Sequence, residues 1–203
     1  MKIIIVFVVI IIFVAGIFLF FMAKGPDISQ FEHLKEPKIS TMKDQKMIVV
    51  EVKGNPNVVG KDAFPTLYKT FYKLKTKVKR SRPPAPRARW PKPLDTPKNE
   101  WTGIYGLPIS ETVNSLPAKK EAEPEVKIDY WEYGEVAEIL HIGPYSKETP
   151  TIEKLHQFIK DNGYRTVGDH EEEYIKGPGM FLKGNPEKYI TIIRYRVKKQ
   201  EDS

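Results

Sequence analysis

The sequence predicts an α+β domain made of two related strand–helix–strand–strand units, preceded by one transmembrane helix. Three observations carry this. Residues 136–178 read in order as a strand, a turn, an amphipathic helix and a return strand. Part of that pattern recurs at a constant offset of 85 residues earlier in the chain. Residues 3–23 form an apolar run of 21 residues without a charge.

The apolar run comes first. As a helix it spans about 31 Å at about 1.5 Å per residue, close to the hydrocarbon thickness of a bilayer. A cleaved signal peptide is the alternative. Its apolar region is shorter and its cleavage site needs small residues, where this chain has Phe21 and Ala23. The expectation is therefore a retained single-pass membrane anchor over residues 1–24. Lys2 alone precedes the run, whereas Lys24, Lys35, Lys38 and Lys43 follow it, so the positive-inside count favours the cytoplasm for the remainder, with a short basic tail inside and an exported domain as the alternative. Residues 25–38 are polar, broken by Pro26 and Pro37, and read as a stalk.

The domain itself is expected over residues 39–198, with its first copy over 39–115. Residues 46–53 (KMIVVEVK) are the first clear strand. Residues 60–74 read as a helix whose apolar stripe is Phe64, Leu67, Phe71 and Leu74. Residues 75–98 then hold nine Lys or Arg, one Asp and six prolines, a density of proline that predicts an extended surface loop inserted into the copy. Its charge, part of a net +7, makes anionic lipid a candidate partner. Nucleic acid is not expected, because no recognition helix or aromatic-interleaved strand accompanies the charge. Residues 101–108 (WTGIYGLP) return as a hairpin that brings Trp101 and Tyr105 towards the centre, and 111–127 join the two copies.

The second copy is expected over 128–198 and opens on YWEY at 130–133. Residues 136–142 suit a half-buried strand, which Gly143-Pro144 ends. Thr149 is placed to cap a helix with Pro150 in its first turn, and Ile152, Leu155, Phe158 and Ile159 give it one apolar face. Asn162-Gly163 stops it. Residues 165–167 and 172–175 read as an extended hairpin, 189–197 as a further strand, and 199–203 as a charged tail. The repeat is carried by Pro65-Thr66-Leu67-x-Lys69 against Pro150-Thr151-Ile152-x-Lys154 and by Leu74 against Ile159.

His141-Ile142-Gly143-Pro144-Tyr145, the Asn162-Gly163-Tyr164 helix exit, and Glu172-x-Tyr174-Ile175 followed by Pro178 together resemble the GyrI-like small-molecule-binding family, whose effector-binding fold is shared with multidrug-sensing regulators and SOUL haem-binding proteins. The resemblance covers residues 130–198 well and 39–115 loosely. It implies two strand–helix–strand–strand copies about a pseudo-twofold axis, with a ligand groove between them. It also implies that Glu172, with Tyr174, is the acidic position of that groove, meeting cationic or aromatic ligands and in some members assisting hydrolysis. The DNA-binding helices of the regulators have no counterpart here, where the apolar run stands in their place.

The remaining chemistry is narrowed by elimination. Without cysteine there is no disulfide, no Cys-ligated zinc and no lipoprotein anchor. There is no G-x-S-x-G elbow, H-E-x-x-H pair or phosphate loop, and four scattered histidines make no local metal motif, so no cofactor or metal is expected. Period-two alternation puts Glu172 and Tyr174 on one face of a strand and Glu171, Glu173 and Ile175 on the other. A desolvated carboxylate beside aromatic faces attracts a lipophilic cation; three consecutive glutamates on a solvated hairpin are the plain alternative. The expected ligand-binding set is Glu172 with Tyr174, Trp101, Tyr105, Tyr145, Tyr164 and His141, although a hydrogen-bonded structural role is the commoner one for a histidine such as His141. No catalytic residue is assigned; in a hydrolase Glu172 would be the general base. The expected function is a membrane-tethered small-molecule-binding domain, with a membrane-anchored adaptor contacting protein or anionic lipid, and a Glu-dependent hydrolase, as the alternatives.

Overall fold

The computed structural model describes residues 28–74, 83–93, 96–118, 124–178 and 184–200. The chain divides into two units, 1–32 and 33–203. Of the first, only residues 28–32 are described, at the start of the 3-10 turn Ser29–Leu34. The second unit contains every strand and both helices among the described residues. In chain order these are β1 (Lys38–Met42), β2 (Gln45–Lys53), α1 (Pro56–Lys73), β3 (Arg87–Trp90), β4 (Thr102–Pro108), β5 (Lys127–Trp131), β6 (Gly134–Ile142), α2 (Thr149–Asp161), β7 (Tyr164–Thr166), β8 (His170–Lys176) and β9 (Ile190–Lys199).

The strands pair antiparallel in the order β1-β6-β9-β8-β3-β4-β2-β5, with β7 on β9. This is an α+β fold on one antiparallel sheet. From the central β3–β8 pair the order reads outward as β4, β2 on one side and β9, β6 on the other. Each side carries one helix. α1 buries Ala63 and Leu67 against Ile48, Val50, Tyr105 and Leu107, and α2 buries Leu155 and Ile159 against Ala137, Ile139, Ile193 and Val197. Burial of side chains of this size stabilises by about 1.5–3 kcal/mol each.

The opposite face curls on itself, and the connections require it. β1 and β2 are joined only by Lys43 and Asp44, and β5 and β6 only by Glu132 and Tyr133, yet each pair lies at opposite ends of the strand order. Two linking residues reach about 10 Å at most, so the two ends of the sheet must meet. They meet through Met47, Val49, Trp131, Tyr133 and Val136, which pack as one cluster. Asp44 ties the two links together, its carboxylate accepting from Tyr133 N–H at 2.9 Å.

Several expectations change. The Pro-rich segment 75–98 is not simply a surface loop: RARW within it is β3, at the centre of the sheet, with Ala88 and Trp90 buried. The prolines flank this strand instead of interrupting it, so its N–H groups remain available to the ladder. Arg87 and Arg89, counted as lipid-facing charge, pair with Glu173 and Glu171. The remaining basic residues at 75–82 lie outside the described residues. α1 begins at Pro56, which puts Pro65 inside the helix. α2 begins at Thr149, so its N-cap position belongs to Glu148, whose side chain makes no cap. β7 and β8 both pair with β9 and not with each other.

The membrane expectation is also corrected. No helix among the described residues is long and apolar enough to cross a membrane. The run at 3–23, on which the single-pass anchor, its cytoplasmic orientation and the membrane partner rested, lies outside the described residues. The described structure therefore gives the membrane placement no support.

Candidate functional site

The site is built on β8, where alternation sends consecutive glutamates to opposite faces of the sheet. Glu171 and Glu173 face the inside of the curl and are neutralised by guanidinium groups. Arg194 donates to Glu171 at 2.6 Å, to Glu138 at 2.7 Å and to Glu173 at 3.0 Å, and Arg89 donates to Glu171 at 2.8 Å. Tyr133 donates to Glu171 at 2.9 Å, on the same oxygen, Oε1, that takes Arg194. Burial alone would push the Glu171 carboxyl up, but Arg194, Arg89 and Arg87 together hold it below its ordinary value. A polar cavity of about 200 Å³ opens beside this network, lined by Arg89, Tyr133, Asp169, Glu171, Arg194 and Arg196 among others.

Glu172 faces the other way, towards the helices, and none of the described arginines or lysines pairs with it. It is buried, 9 % exposed. Its Oε1 accepts from His170 Nε2 at 2.9 Å, while His170 Nδ1 stands 2.7 Å from the Tyr195 hydroxyl. A neutral imidazole with its proton on Nε2 satisfies both contacts, accepting from Tyr195 and donating to Glu172. Tyr174 stands two residues on along the same face of β8, close enough for its hydroxyl to feel the Glu172 charge. Burial first, and then the charge of Glu172, push the hydroxyls of Tyr105, Tyr145, Tyr174 and Tyr195 well above their ordinary value. Four phenols thus sense one carboxylate.

Their rings form a continuous wall. Tyr174 meets Tyr145 edge-on at 5.6 Å and Phe64 of α1 at 5.8 Å. Phe64 also meets Tyr105 at 4.9 Å, Trp90 meets Tyr105 at 5.6 Å, and Tyr145 meets Tyr189 at 5.3 Å. The backbone is drawn close at two points, since a Cβ on Gly177 would stand 2.7 Å from the Tyr145 hydroxyl and one on Gly60 3.2 Å from that of Tyr105. A second carboxyl, Glu148, lies in the same region. Burial first, and then the Glu172 charge, push it up to about 9.

Of the residues expected from sequence, Glu172, Tyr174, Tyr105 and Tyr145 come together. Trp101 is half-buried, donates to the Thr96 carbonyl at 2.6 Å and joins the cluster through Trp90 at 5.2 Å. His141 is held by Thr151 at 3.0 Å and by the Pro144 carbonyl at 3.4 Å. Burial lowers its pKa, with the charge of Glu172 working against that. Tyr164 is elsewhere. It sits on β7 against the α2 core, and its hydroxyl contacts Glu135 at 3.2 Å. Sequence reasoning passed over Glu148, His170, Phe64, Trp90 and Tyr195. His170 was reachable, because it stands two residues before Glu172 on the same strand face. Glu148 left a fainter signal: at the repeat offset it falls on Ala63, a buried position.

No curated protein matches the chain. Among solved structures it is similar to an uncharacterized conserved protein from Listeria innocua, with TM-score 0.68 and 24% identity over 84% of this chain and 98% of that one. It is also similar to a hydrolase from Listeria innocua, with TM-score 0.65 and 22% identity over 84% and 98%. The C-terminal domain of EcmrR gives TM-score 0.59 and 16% identity over 81% and 98%. At these identities the likeness establishes the fold alone. The family is established by the sequence model itself: residues 35–198 match the GyrI-like small molecule binding domain, and the chain belongs to that family.

Proposed function

We propose that the region between α1 and the start of α2 binds a hydrophobic or aromatic cation, with Glu172 as its counter-charge. Tyr105, Tyr145 and Tyr174 supply the wall, and Trp101 and His141 lie at its margin. One observation carries the reading. Along β8 the glutamates on one face are neutralised by Arg87, Arg89 and Arg194, whereas Glu172, on the other face, is met by His170 and by none of the described arginines or lysines. A buried carboxylate with neither arginine nor lysine beside it, set among π faces, favours a soft cation through charge and ring quadrupole together. The two halves are read as copies of one strand–helix–strand–strand unit, supported by the matching strand order on either side of β3–β8 and by the 85-residue offset. The site then falls at their junction.

The test uses a pair of ligands that differ only in charge, benzyltrimethylammonium and its neutral isostere neopentylbenzene. Binding to the full chain is followed by tyrosine and tryptophan fluorescence. The cation is expected to bind about 10–100-fold tighter, as about 1–3 kcal/mol of charge and cation–π attraction implies. Glu172→Gln should erase most of that preference. Equal affinity for the two ligands, or an unchanged preference in the variant, would refute the role of Glu172.

A further inference from the structure

Glu148 precedes α2 with helical backbone angles (φ −73, ψ −24), yet its side chain caps nothing and turns inward, leaving the residue 6 % exposed. Its Oε1 is buried without a hydrogen-bond partner. The same is true of Thr191 Oγ1, on a residue that is fully buried in β9 and in register with Tyr174 of β8 and His141 of β6. Thr191 lies beside the Glu148 carboxyl and favours its charged form, but no hydrogen bond is completed at either oxygen. Unsatisfied buried oxygens cost about 1–3 kcal/mol each, and folded proteins leave few of them. Here two lie together, in reach of the charge of Glu172, a carboxylate that none of the described arginines or lysines pairs with.

The chemistry that would satisfy them is specific. Both oxygens can accept a hydrogen bond. An anionic ligand brings acceptors and is repelled by Glu172. A quaternary cation brings charge but no donor. A protonated amine, amidine or guanidine brings charge and N–H donors together. We propose that Glu148 and Thr191 form a hydrogen-bonding subsite beside Glu172, which selects cations bearing N–H donors over quaternary cations of similar shape. This rests on the reading of Glu172 as the cation anchor and goes beyond it by naming the ligand's head group. Burial and the charge of Glu172, which push the Glu148 carboxyl up, agree with a carboxyl for which the described residues provide no counter-charge.

The experiment compares benzylammonium with benzyltrimethylammonium on the full chain, wild type, Thr191→Val and Glu148→Met, with thermal unfolding run on each. The quantity read is the ratio of the two dissociation constants, which cancels general changes in the aromatic wall. Wild type is expected to favour benzylammonium, and the ratio should fall about tenfold or more in Glu148→Met, the size expected for a hydrogen bond to a charged group. In Thr191→Val it should fall about three- to tenfold while Tm is kept or raised, because an unpartnered buried hydroxyl is replaced by a methyl. Should Glu148→Met fail to fold, Thr191→Val decides alone. Quaternary binding with an unchanged ratio in the folded variants overturns this subsite and leaves Glu172 standing. No binding of either cation to wild type overturns both.

Discussion

Replacing Arg194 by Met keeps the length of the side chain and removes its charge. Arg194 is 3 % exposed and its guanidinium donates to Glu138, Glu171 and Glu173. None of the three carboxylates is left wholly alone. Ser40 still donates to Glu138 at 2.6 Å, Arg89 and Tyr133 still hold Glu171, and Arg87 remains 3.3 Å from Glu173. The loss is therefore that of one partner from a buried ionic network, about 3–5 kcal/mol. Its pH dependence identifies the cause. In the wild type Glu171 is held below its ordinary value, so its contribution is complete above about pH 4.3 and is lost as pH falls through the folded value. Without Arg194, burial, the largest influence on Glu171, is less opposed and raises the folded value. A penalty then appears that is absent below the unfolded value and grows as pH rises above it. Urea unfolding at pH 8 and pH 5 should show a deficit of about 3–5 kcal/mol at the higher pH, smaller by about 1 kcal/mol or more at the lower. A deficit below about 1 kcal/mol at pH 8, or one that does not narrow at pH 5, would refute the assignment of Arg194 as the counter-charge.

Two further substitutions probe the frame. Asp44→Ala removes the acceptor that joins the two interstrand links through Tyr133 N–H, and should cost about 1–3 kcal/mol in urea unfolding; a loss within experimental error would mean the links need no clasp. Gly103→Ala drives a Cβ to within 2.8 Å of both the Trp90 and Tyr105 rings, whose packing leaves little room to move. It should cost about 1–3 kcal/mol as overpacking and weaken cation binding through displaced Tyr105; a variant with wild-type Tm and affinity would show the aromatic floor to be pliable.

The sequence makes the strand and helix types plain wherever periodicity is long and uninterrupted, as in residues 46–53 and 136–142, which lie within β2 and β6, and 189–197, which begins one residue before β9. It also separates the two faces of β8, because alternation is a property of the backbone and needs no partner. What it hides is pairing. β3 is four residues long among prolines, and only its neighbours on either side, β4 and β8, make RARW a central strand. The solvated reading of 171–173 fails for the same reason, since the arginines that neutralise Glu171 and Glu173 come from β3 and β9, far away in sequence. Its place in the motif points Tyr164 to the site, whereas the turn of chain at Gly163, with φ +74, delivers it to β7. Glu148 is legible only once burial is known.

The short links at Asp44 and Tyr133 bear on how the chain acquires its shape. β1 precedes the first half and edges the second, while β5 precedes the second half and edges the first. Each half therefore borrows its outer border from the segment leading into the other, and neither has a complete margin by itself. A chain severed between β4 and β5 should yield two pieces that remain incomplete apart and regain structure on mixing, each lending the other a strand. Such lending also postpones closure, because pairings such as Lys38 with Glu138 must await most of the chain. Folding should accordingly be slow for a protein of this size, and all-or-none.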